Sequence, residues 1–102
     1  MIRGLYIMDK RIVIKLNMFI LNQEISLINA DNDKEITNTI SVPIDKIDDT
    51  IEEFVQTNNI DEIYVEGNKK FAKAIINDLQ SILTYKYSEK KVRIYLNGKI
   101  CN

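Results

Sequence analysis

Two acids stand where a strand could deliver a carboxylate to a shared point. Asp9 closes the apolar run of "LYIMDK", and Glu66 closes that of "IYVEGN". Gathered carboxylates hold Mg²⁺ or Mn²⁺ and, through the metal, activate water against a phosphodiester. Asp61 and Glu62 are the available third ligands. Strand periodicity places Glu62 on the same side as Glu66, and Asp61 on the other. The competing reading is structural. Asp9 favours a turn, and Glu66 ends a strand near the positive pole of the following helix.

Three further groups carry possible chemistry. In "EGNKK", free amides at a helix start, with Lys69 and Lys70, suit phosphate or carboxylate, whereas Glu66 opposes an anion. "TYKYSEKKVRIY" interleaves Tyr85, Tyr87 and Tyr95 with Lys86, Lys90, Lys91 and Arg93, a mixture that stacks bases and neutralises phosphates. The same composition describes a helix end followed by an edge strand guarded by lysine. Asp48, Asp49, Glu52 and Glu53 line one face of a predicted helix, available to a basic protein partner or simply solvated.

Composition removes other chemistries. The 102 residues contain no histidine, so every histidine-dependent dyad and triad is excluded. Cys101 is the only cysteine, which forbids an internal disulfide and a cysteine-rich zinc site. The net charge is −1, too small to attract nucleic acid or anionic lipid globally. Its distribution is uneven: residues 1–30 carry +2, 31–66 carry −9 and 67–102 carry +6. Such polarity favours self-association or partner steering unless folding interleaves the segments. No secretion signal is recognised and no stretch reaches the roughly 18 apolar residues of a membrane span, so a cytoplasmic protein without membrane contact is expected.

The elements that must position these residues follow from periodicity. One domain is expected. Leu5 to Met8 is a first apolar run, and from Arg11 to Ile20 the chain alternates, with Ile12, Ile14 and Leu16 on one face and Arg11, Val13 and Lys15 on the other. Runs at Ile25–Asn29 and Ile36–Val42 complete an antiparallel meander of three or four strands. Pro43 closes it. Asp45 is the predicted cap of a helix with Ile44, Ile47, Ile51, Phe54 and Val55 on its apolar stripe, ended by Asn58-Asn59. "IDEIYVEG" reads as a strand, and Asn68 caps a second helix with Phe71, Ile75, Leu79, Ile82 and Leu83 inward, ending near Tyr85. "KVRIYLN" is the last predicted strand. The order is β-β-β-(β)-α-β-α-β, an α/β fold with a mixed sheet, an antiparallel meander and one right-handed parallel βαβ unit.

That order resembles the ribonuclease H-like superfamily, which includes Holliday-junction resolvases and many transposases. The resemblance implies a divalent-metal site at Asp9, on the first strand, and Glu66, at the end of the fourth. It also implies further acids on a helix beyond the fifth strand, where this sequence offers only "GKICN". Lys10-Arg11 replaces the small residues that often follow the family's first Asp. The expectation is therefore a degenerate, non-enzymatic ribonuclease H-like domain without cofactor, suited to a phage or mobile-element accessory protein. It would bind a protein partner or form a homo-oligomer. The alternatives are a minimal Mg²⁺- or Mn²⁺-dependent nuclease using Asp9 and Glu66, or a nucleic-acid binder that does not cleave.

Overall fold

The computed structural model describes residues 10–17, 21–29, 36–86 and 92–101. Alternation governs the first strand, β1 (Lys10–Lys15). Its Ile12 and Ile14 are fully buried on one face, while Arg11 and Lys15 project from the other. β1 pairs antiparallel with β2 (Asn22–Asn29), which pairs antiparallel with β3 (Ile36–Pro43). On its other side β1 pairs parallel with β4 (Ile60–Glu66), and β4 with β5 (Arg93–Leu96). Within the described residues the meander thus has three strands. The run Leu5–Met8 lies outside them.

Two helices fill the crossovers, α1 (Ile47–Thr57) between β3 and β4, and α2 (Lys69–Lys86) between β4 and β5. The sheet order is β3-β2-β1-β4-β5-β6, so both crossovers join parallel strands and progress in the same direction across the sheet. Right-handed connections then require both helices on one face. The packing agrees: Ile47, Ile51, Phe54 and Val55 of α1 share one core with Ala72, Ile75, Ile76, Leu79 and Leu83 of α2 and with Ile12, Ile14, Ile25, Ile63, Val65 and Ile94 of the sheet. Burying each of these isoleucine, leucine, valine and phenylalanine side chains stabilises the fold by about 1.5–3 kcal/mol. Among the described residues, neither helix covers the other face of the sheet.

The helix starts differ in their chemistry. Asn68 caps α2 as expected, its Oδ1 accepting from the Phe71 amide at 3.1 Å. Asp45 does not cap α1. Residues Ile44–Lys46 form a single 3-10 turn, and the position before α1 is Lys46, which makes no side-chain capping bond. This turn leaves Ile44 42% exposed instead of on the apolar stripe. Pro43, as last residue of β3, fixes the direction of exit.

A sixth strand, β6 (Lys99–Ile100), was not expected from the sequence. Asn97 (φ 47°) and Gly98 (φ 89°) form a two-residue hairpin between β5 and β6, the left-handed pair that Asn-Gly favours. The Asn97 side chain also clamps the end of β4. Its Oδ1 accepts from the Gly67 amide at 3.0 Å and its Nδ2 donates to the Gly67 carbonyl at 3.1 Å. A second carboxamide closes on backbone nearby. Buried Gln23 accepts from the Asn17 amide at 2.6 Å and donates to its carbonyl at 3.2 Å.

Gly67 has φ +136°, and an added Cβ would lie 2.6 Å from the Leu16 carbonyl oxygen; Gly98 has open space around the same position. Gly67→Ala should therefore cost at least about 1–3 kcal/mol in denaturant unfolding. Gly98→Ala, which meets only the backbone penalty, should cost about 1 kcal/mol.

Candidate functional site

The polar face of the sheet is built in rows fixed by register. Arg11, Glu62 and Arg93 stand side by side on β1, β4 and β5, and the next row holds Val13, Tyr64 and Tyr95. Glu62 is the hub. It is 9% exposed on the central parallel strand, and its Oε1 accepts from Arg11 Nε at 3.0 Å and lies 2.9 Å from Arg11 Nη2. Its Oε2 meets Arg93 Nη2 at 3.2 Å and accepts from the Tyr95 hydroxyl at 3.4 Å. The low local dielectric makes such a satisfied network strong and an unmatched carboxylate costly.

The aromatic row completes the network. Tyr64 and Tyr95 stack with ring centres 4.6 Å apart, and the Arg11 guanidinium lies 4.6 Å from the centre of the Tyr64 ring. Arg11 thus serves Glu62 through its N–H groups and Tyr64 through its charge. Arg11 and Tyr64 were not singled out from the sequence as site residues. The readable signal was parity, because Arg11, Glu62, Tyr64, Arg93 and Tyr95 all occupy the non-core positions of three adjacent strands.

A bulge corrects the expected orientation of Asp61. Lys10 pairs with Ile60 but Arg11 with Glu62, so Asp61 is an extra residue on β4. Asp61 and Glu62 consequently both reach Arg93, with Asp61 Oδ2 2.5 Å from Nη2. The Asp61 charge is the main influence holding the Arg93 guanidinium above its ordinary pKa.

The other candidate residues divide as follows. Glu66 is exposed at the end of β4, and its register partner on β1 is Lys15. Asp9 lies outside the described residues. Among the described residues no group of three or more Asp, Glu, His or Cys is placed to hold a metal ion. Arg93 and Tyr95 come together, but around carboxylates. Lys86 is the last residue of α2, while Lys90 and Lys91 lie outside the described residues. At "EGNKK", the Gly67 amide is taken by Asn97 and the Phe71 amide by Asn68, which removes two donors that an anion would use.

Asp48, Asp49, Glu52 and Glu53 do share α1, with Asp49 and Glu53 exposed and Asp48 and Glu52 half-buried. α2 adds Asp78 to this acidic surface. Partial burial, then the charges of Asp78, Asp49 and Glu52, raise the pKa of Asp48 above its ordinary 3.8.

No protein-family model and no curated protein matches the chain. Among the described residues, no helix is long and apolar enough to cross a membrane.

Glu62→Gln and Arg11→Met should each cost about 1–3 kcal/mol in chemical unfolding, with a double-mutant coupling near 1 kcal/mol. Asp61→Asn, at the solvent-exposed end of the network, should cost less than about 1 kcal/mol. Because the folded state raises the Asp48 pKa, it binds the proton more tightly than the unfolded chain, and stability falls as pH rises from near 3.8 through the raised value. Asp78→Asn should lower the Asp48 pKa measured by NMR titration. Solvent screening limits the accompanying gain at neutral pH to a few tenths of a kcal/mol.

Proposed function

We propose that this chain is a non-catalytic interaction domain of ribonuclease H-like descent, binding protein through the helix-free face of its sheet. The observation that carries this reading is the pairing of Asp61 and Glu62 on β4 with arginines. Glu62 sits between Arg11 and Arg93, and the register partner of Glu66 is Lys15. In a two-metal nuclease those acids would instead converge on the metal with their negative charge uncompensated. An antiparallel meander on one side of β1 and a parallel crossover unit on the other support the ribonuclease H-like lineage.

The same face has the composition of a protein interface. Tyrosine and arginine dominate binding hot spots, and here both are held in place before any partner arrives. Mixed charge argues for protein over nucleic acid: Arg11, Lys15 and Arg93 share the surface with Glu24, Asp61, Glu62 and Glu66.

The full chain should cleave neither branched nor single-stranded nucleic acid with millimolar Mg²⁺ or Mn²⁺, and calorimetry should detect no binding of either ion. Metal-dependent cleavage lost in Asp9→Asn or Glu66→Gln would replace this proposal with the nuclease. Binding of single-stranded DNA that weakens steeply with salt would replace it with the nucleic-acid binder.

A further inference from the structure

The two edges of the sheet are guarded unequally. β6 is two residues long and carries Lys99, and short length and lysine both discourage addition of another strand. β3, "ITNTISVP", is eight residues long, contains no charged residue and has five β-branched ones. Among the described residues its guards lie only at its ends. A bulge falls at Thr37, where Leu27 and Ile28 pair with Asn38 and Ile36, and Pro43 removes a donor at the exit. Between them Asn38, Thr39 and Ser41 are exposed and Ile40 and Val42 are half-buried.

We propose that two copies of this chain pair antiparallel through Asn38–Val42 of β3, making one continuous sheet across a two-fold axis. Such an axis, normal to the sheet, keeps each residue on its own face, and directly opposed residues of an antiparallel pair share a face. Asn38, Ile40 and Val42 can therefore oppose only one another, and Thr39 opposes itself or Ser41. Every register within this segment is free of like-charge contact. Ile40 and Val42 already pack against the core from its margin, so pairing joins the two cores along the seam. Hydroxyls meet hydroxyls on the other face, a favourable cross-strand combination. This self-match is the argument for a second copy over a foreign strand. The dimer edge and the Arg–Tyr face are different surfaces, so the inference does not rest on the function proposed above.

Sedimentation equilibrium of the full chain, with Cys101→Ser to prevent disulfide linkage, reads the outcome directly. Dimer should form as concentration rises, and hydrogen exchange of amides within Asn38–Val42 should slow in parallel. Ser41→Lys places a cation on an exposed position of the seam and should weaken the dimer about tenfold. Its circular dichroism should match the parent, showing that the fold survives. Thr39→Lys should act in the same direction, although it also removes the hydroxyl 3.1 Å from Ser26. A monomer at every concentration, or a dimer that neither lysine variant weakens, would overturn the proposal.

Discussion

The pairing of β1 with β4 is the constraint on which the remaining structure depends. Ile12 lies beside Ile63 and Ile14 beside Val65, all four fully buried, and both helices pack on this apolar patch. Because side chains alternate strictly, fixing these four inward fixes Arg11, Val13, Glu62 and Tyr64 outward. The polar network is therefore a product of core packing. A slip of one residue between the strands would bury an arginine and expose an isoleucine, so the core protects the register of the site.

That arrangement also resolves the uneven charge of the sequence. Glu62 and Asp61 belong to the acidic middle segment, Arg93 to the basic C-terminal segment and Arg11 to the N-terminal one. The crossover topology places β4 between β1 and β5, which brings all three segments together. What reads along the chain as a separation of charge is, at this face, a neutralised row. The acids of α1 stay apart from it, where partial burial, then the charges of Asp78, Asp49 and Glu52, raise the Asp48 pKa.

Much of the fold was legible because its signals are local. The stripes at Ile47, Ile51, Phe54 and Val55 and at Ile75, Leu79 and Leu83 are buried as their spacing requires, and Asn68 caps α2. The misses have local competitors. Asp45 had the side chain of a cap, but the turn after Pro43 tightened into 3-10 geometry and moved the helix start to Ile47. β6 is too short to show alternation, although Asn97-Gly98 is a hairpin signal by composition alone. The site was less legible than the fold. Parity could align Arg11, Glu62 and Arg93 only once the strand order was known, and no periodicity announces the bulge that turns Asp61 toward Arg93.

The Asn97 clamp couples parts of the molecule that are distant in sequence. Its two bonds to Gly67 join the β5–β6 hairpin to the corner where β4 becomes α2, while the Asn97 amide donates to the Val65 carbonyl at 2.9 Å. Mechanical tension applied to the hairpin is thereby shared among three hydrogen bonds, one onto β4 and two onto the glycine that follows it. The load reaches the central strand directly, so the C-terminal hairpin is anchored to β4 and to the corner that follows it.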